Sequence, residues 1–240
     1  MAPRARLERS DFYPRAWLYF GLALLVTLVA FYPSYFGRLH ETGPWHHLHG
    51  VTATLWMTLL VVQPLLHRLG RWDWHRRLGR VAFVLVPLVV LGGMVMVERM
   101  LNAEGRYPPG LPYQLGFIDF FVLTQFVLFF ALAMKHRADM QLHARYMACT
   151  VVGPLIPALA RLLPRFPGVE TFQASLHLSY LLMHGVLVLL LLHDHRSGGV
   201  RLPYVLALGL MVAQHVLMTQ AAGWEWWRAW MDGYAGLMPG

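Results

Sequence analysis

The sequence predicts an all-α, polytopic membrane protein: one seven-helix transmembrane bundle with a cytoplasmic N-terminus and an exterior C-terminus. Three observations predict it. Of the 240 residues, 57% are hydrophobic and only 13% charged, whereas soluble domains run near 45–50% apolar and about 25% charged. Seven stretches reach the roughly 20 apolar residues that a helix needs to cross a bilayer core about 30 Å thick. The basic residues also alternate from loop to loop, as the positive-inside rule requires.

The spans fall at about residues 16–36, 46–66, 80–100, 113–134, 143–163, 175–195 and 202–222. None alternates with the period of a barrel strand. The first follows Arg4, Arg6, Arg9 and Arg15, as a signal peptide would. It is too long for a signal core, and Tyr32, Pro33, Tyr35 and Phe36 stand where a cleavage site would need small residues, so it reads as a retained helix. The N-terminus and the second-to-third, fourth-to-fifth and sixth-to-seventh loops hold 14 of the 20 Lys and Arg residues, and the opposite side holds 6. That asymmetry sets the orientation and fits a bacterial inner membrane.

The formal charge of +8 is then a topology signal with an affinity for anionic lipid. No basic low-complexity arm or base-stacking motif accompanies it, so nucleic acid is not an expected partner. The single cysteine, Cys149, excludes an internal disulfide and a Cys-rich metal site. Pro108, Pro109, Gly110 and Pro112 mark one exterior loop, and residues 164–168 another. Pro154 and Pro157 predict a kinked or irregular fifth helix. The tail 223–240, with Trp224, Trp226, Trp227 and Trp230, suits a short helix at the exterior interface. The whole chain, 1–240, reads as one domain.

The functional signal is histidine, 13 residues in all. Each ionisable group inside a span costs about 2.5–3.5 kcal/mol at the bilayer centre on insertion scales. The predicted topology brings His49, Asp119, His177, His184 and His215, on four helices, to similar depth in the outer half. Imidazole is the commonest metal ligand, and a carboxylate can complete such a site or orient a ligand ring. These five residues are the candidate metal ligands, for zinc, iron or copper. The ordinary reading of the same residues is hydrogen bonding between helices, or for Asp119 an ion pair with Arg99 or Arg106. His40, His46, His67, His193 and His195 lie at helix ends and read as headgroup anchors. His49 shares a helix face with Gln63, four turns away.

A second concentration lies on the cytoplasmic side: His75-Arg76-Arg77-Leu78-Gly79-Arg80, and His143-Ala144-Arg145-Tyr146-Met147 after Lys135-His136-Arg137-Ala138-Asp139. His75, His143 and Arg145 are candidates to cradle an anionic headgroup, a haem propionate or a quinone carbonyl. Ordinary interfacial anchoring is the competing reading.

Taken in order, His49-Gly50, Gln63-Pro64-Leu65, His75-Arg76-x-x-Gly79-Arg80, Gly116-Phe117, Arg137-Ala138-Asp139, His143-x-Arg145-Tyr146-Met147 and Arg161 ahead of Pro164 resemble the multi-pass membrane proteins of domain-of-unknown-function family 2306. The likeness covers about residues 45–165. It implies the multi-helix fold and adds weight to His49, His75 and His143, but it implies no chemistry. The sixth helix, with His177 and His184, departs from it.

The expected functions divide three ways. A membrane redox protein would hold haem b through His49 with His177 or His184. His49 and His67, and likewise His177 and His195, are also 18 residues apart, five turns or about 27 Å, which would place one haem near each face. A quinone or a protein redox partner would accompany either arrangement. Alternatively, a metal-dependent membrane enzyme would act on a lipid-like substrate. A transporter, lipid-binding protein or accessory subunit would need no metal at all.

Overall fold

The computed structural model describes residues 14–103 and 105–237, and all regular structure among them is helical. The helices are α1 (Ala16–Phe31), α2 (Pro44–Arg68), α3 (Trp72–Leu101), α4 (Leu111–Lys135), α5 (Met140–Leu162), α6 (Phe172–Arg196), α7 (Leu202–Ala221) and α8 (Glu225–Ala235). Short 3-10 segments lie at Phe36–Glu41 and Leu163–Arg165. Arg4, Arg6 and Arg9 of the expected N-terminal basic cluster, and the last three residues of the tail, lie outside the described residues.

Six helices, α2 to α7, are long and apolar enough to cross a membrane; the expected seventh, α1, is a shorter apolar helix. Its 16 residues rise about 24 Å, because the chain leaves the helix at Tyr32 and Pro33 rather than continuing to residue 36. The segment nevertheless runs the height of its neighbour. Arg68 at the end of α2 donates to the Pro14 carbonyl at 3.4 Å, and the Tyr35 hydroxyl meets His47 Nδ1 at 3.2 Å near the start of α2.

Local chemistry explains the element boundaries. Asp139 caps α5 by accepting from the backbone N–H groups of Gln141 and Leu142 at 2.8 and 3.1 Å. Thr171 caps α6 through the Ala174 N–H at 3.1 Å. Pro44, Pro112 and Pro203 sit in the first turn of their helices, where a missing N–H costs nothing. Gly110 precedes α4 with φ +82°, a conformation that favours glycine.

Helix α5 occupies the centre, packing against α1, α2, α4, α6 and α7. It remains helical through Pro154 and Pro157 without the irregular stretch expected there. Close approach depends on small residues: Gly153 admits Val122 of α4, and Gly92 of α3 lies against the His49 backbone of α2. Polar side chains tie the helices where their faces meet. Gln125 donates to Gln214 at 3.1 Å and Gln214 to the Ile118 carbonyl at 2.9 Å. Ser175 donates to the Ala160 carbonyl at 2.8 Å.

The bundle has two distinct ends. One carries the basic α2–α3 and α4–α5 connections. The other is closed by α8, whose Trp227 indole donates to the Tyr113 carbonyl at 2.9 Å, while Tyr113 donates to Asp232 at 2.7 Å. Trp227 and Met231 are buried and Trp226 and Trp230 exposed, so α8 is an amphipathic helix docked on α3 and α4.

Candidate functional site

Among the described residues, no group of three or more His, Cys, Asp or Glu side chains gathers closely enough to hold a metal ion. The five outer candidates do not form the single ligand cage drawn from helix depth. They divide between two neighbouring places, because similar depth on separate helices leaves the direction of each side chain open.

His177, His184 and His215 come together on the seam between α6 and α7. His177 Nδ1 and His215 Nε2 are 2.8 Å apart and share a hydrogen bond. The His184 and His215 ring centroids are 5.3 Å apart, and His184 is hydrogen-bonded to the Met211 carbonyl one turn earlier on α7. The His184 Nε2 is buried without a partner among the described residues. Tyr180, between the two α6 histidines, stacks on His215 with centroids 4.6 Å apart and planes 10° from parallel.

Asp119 and His49 stand apart from that seam, each within electrostatic range of Arg161. Asp119, on α4, is half-buried. No hydrogen bond reaches its carboxylate among the described residues. Its charge interacts with that of Arg161 on α5 rather than with Arg99 or Arg106. Arg161 in turn donates to the Pro157 carbonyl at 2.9 Å and lies 4.7 Å over the Phe31 ring of α1. His49 is within range of the same guanidinium, and its Nδ1 is buried without a partner, as is the Tyr180 hydroxyl. Tyr180 also interacts with Asp119. Arg161, Asp119 and Tyr180 thus lie within electrostatic range of one another, and Tyr180 stacks on His215, which bonds His177.

At the basic end the candidates separate differently. Arg145 is not available to an anionic cofactor. Its guanidinium donates through Nε to both Asp194 oxygens at 3.1 and 2.9 Å, and through Nη2 at 2.5 Å. Nη1 donates to Gln141 Oε1 at 2.6 Å, and the Tyr204 ring lies 5.8 Å from Cζ. Both residues of the ion pair are buried, with 2% and 0% of their side chains exposed. The sequence reading overlooked Asp194. Its position near a helix end resembles that of solvated loop carboxylates, and only the α5–α6 contact buries it.

His75 and His143 do come near one another, joined by Gln63 and by His67, which the sequence suggested was a headgroup anchor. His75 Nδ1 donates to the Gln63 carbonyl at 3.3 Å, and Gln63 Nε2 donates back to the His75 carbonyl at 3.2 Å. His143 Nδ1 donates to the Ala133 carbonyl at 2.9 Å. The His67 ring packs edge-on against Trp72 at 4.4 Å and lies 6.2 Å from His75. The charges of His67, His75 and His143 interact mutually. Gln63, His75, Gly79 and His143, which stand in separate motifs of the sequence, thus meet at one end of α2, α3 and α5.

No family model matches the chain, and neither does any curated protein or solved structure. The likeness to domain-of-unknown-function family 2306 rests on the quoted residues alone.

Proposed function

We propose that this chain is a non-enzymatic multi-pass membrane protein, a carrier or the membrane subunit of a carrier, in which Asp119 takes up and releases a proton. The observation that carries the reading is a half-buried carboxylate inside a long apolar helix, with no hydrogen bond among the described residues and within electrostatic range of Arg161. Ionisable groups at membrane depth are retained where they serve ion or proton pathways. Tyr180, within electrostatic range of Asp119, and His215 and His177 beyond it are groups that can each donate and accept a proton. The contacts of α1 with both ends of α2 support seven crossings. The distribution of Lys and Arg supports a cytoplasmic N-terminus, an exterior C-terminus and a bacterial inner membrane.

Proton movement into proteoliposomes containing an entrapped pH dye, driven by a potassium–valinomycin potential, tests this reading. The wild type is expected to carry protons and Asp119→Asn to lose at least nine-tenths of the flux while eluting as the wild type does. Equal flux in the two proteins overturns the proposal.

A metal-centred reading stands second: a redox protein with haem b, zinc, iron or copper, exchanging electrons with quinone or a protein, or a metal enzyme acting on a lipid-like substrate. The observation that favours it is the His177–His215 pair, 2.8 Å apart on the α6–α7 seam with His184 beside it, two histidines rather than a three-ligand group among the described residues. The absorption spectrum of the detergent-purified protein, with metal analysis of the same sample, separates it from the first. A Soret band that moves on reduction, or one metal per chain, favours the metal; neither favours the carrier.

A further inference from the structure

The cluster at the basic end is a built binding site of unusual polarity. A backbone carbonyl can only accept, so the hydrogen on each ring is placed by its contact: His75 and His143 both carry it on Nδ1. In the neutral ring Nε2 is then a bare lone pair, and neither Nε2 has a hydrogen-bond partner among the described residues. The Gln63 amide is oriented by the same logic, since Nε2 faces the His75 carbonyl. That leaves Oε1 buried and unpartnered on a residue only 9% exposed. Three acceptors at this end therefore lack a donor among the described residues; the Gln63 oxygen is the buried one, and a buried unsatisfied polar group costs about 1–3 kcal/mol.

The occupant must supply hydrogen-bond donors or positive charge. A metal would need its nitrogen ligands about 2.0–2.1 Å from one point, and no three candidate ligands gather so closely among the described residues. An ammonium group would enter beside Arg68, Arg71, Arg76, Arg77 and Arg80, whose charge repels it. What remains is a neutral molecule with two separated hydroxyl donors. Beside His75, His67 and Trp72 pack edge to face, and aromatic side chains of this kind favour a flat ring as a neighbour. The same end of the bundle carries exposed apolar groups, Leu69 at 62% and Trp74 at 54%, and indoles favour the membrane interface, which suits a lipid-soluble molecule.

We propose that Gln63, His75 and His143 bind the reduced headgroup of a lipid-soluble quinol, whose two hydroxyls donate their hydrogens to the two imidazole Nε2 atoms, one of them shared with the Gln63 oxygen. The site is separate from Asp119 and does not depend on proton carriage there. Selectivity follows from its polarity: the oxidised quinone has only acceptors and would face three acceptors.

Anaerobic calorimetric titration of the full chain in detergent tests this with tetramethylhydroquinone and its oxidised form, tetramethylbenzoquinone, as probes. The hydroquinone is expected to bind at least tenfold more tightly. His75→Asn and His143→Asn can keep a donor toward the carbonyls while removing Nε2, and each is expected to weaken the hydroquinone at least tenfold with unchanged elution and thermal stability. Gln63→Met, nearly isosteric, provides a further variant should either asparagine protein misfold. Equal affinity for the two forms, or undiminished binding in the variants that fold, overturns the proposal. So does zinc alone binding stoichiometrically at these residues and excluding the hydroquinone.

Discussion

Arg145 and Asp194 join α5 to α6 through three hydrogen bonds from one guanidinium to one carboxylate, at a place with almost no exposure. Removing one member of a buried pair leaves the other charge desolvated, at about 3–5 kcal/mol, whereas apolar replacement of both is often neutral. Asp194→Ala should therefore destabilise the protein by about that amount. Arg145→Met with Asp194→Leu should recover most of the loss. Unfolding in mixed micelles with increasing SDS checks both variants.

His49 owes its position to Gly92. A methyl group added there would lie 2.9 Å from His49 Cα, against backbone that cannot move aside. Gly92→Ala should cost about 1–3 kcal/mol through overpacking and should impair proton movement in proteoliposomes. Gly185, which has open space, is the control position. Its alanine variant should retain wild-type flux and stability.

The bond between His177 and His215 is worth little as structure. Polar contacts between membrane helices average about 0.6 kcal/mol and reach about 1.7. His215→Phe keeps a ring to stack on Tyr180 and loses the hydrogen bond, so stability should fall by no more than this. Under the proposed function, proton flux should fall far more. A proportionate small loss in both measurements would mark the seam as purely structural.

Tyr234 gives a pH dependence outside the spanning helices. Burial, reinforced by the nearby Glu98 charge, raises its phenol above the ordinary value, and its hydroxyl donates to the Met94 carbonyl at 2.8 Å. A raised value means that the folded state holds the proton more tightly. The stabilisation is present below the ordinary tyrosine value of about 10 and is lost as pH rises through the folded value. Docking of α8, followed by protease sensitivity near Trp224, should weaken over that alkaline range. Tyr234→Phe should remove this dependence.

Much of the fold was legible in composition and loop charge. Six of the seven expected spans appear as long apolar helices, and α8 forms where the tryptophans cluster. The end of α1 was misplaced because Tyr32 to Phe36 remain apolar, and hydropathy does not register that the helix has turned. Asp119, His75 and His143 could be singled out because a polar residue near membrane depth is costly wherever it points. Their neighbours could not: Arg161 reads as a loop cation, Tyr180 as an apolar core residue, and Asp194 as a solvated end.

Hydrophobicity and the distribution of charge act over whole segments, so the sequence by itself determined that this is an all-α protein of long apolar helices. It also narrowed the candidate chemistry to a few histidines and one carboxylate. Which of these meet depends on the rotation of each helix about its axis, set by close contacts such as Gly92 against His49 and Gly153 against Val122. One residue along a helix turns a side chain by about 100°, far more than any depth estimate resolves. Only the tertiary structure set Asp119 and His49 near Arg161 and gathered the other three supposed ligands in a histidine seam, committed Arg145 to Asp194, and tied His75 and His143 to backbone carbonyls at the basic end.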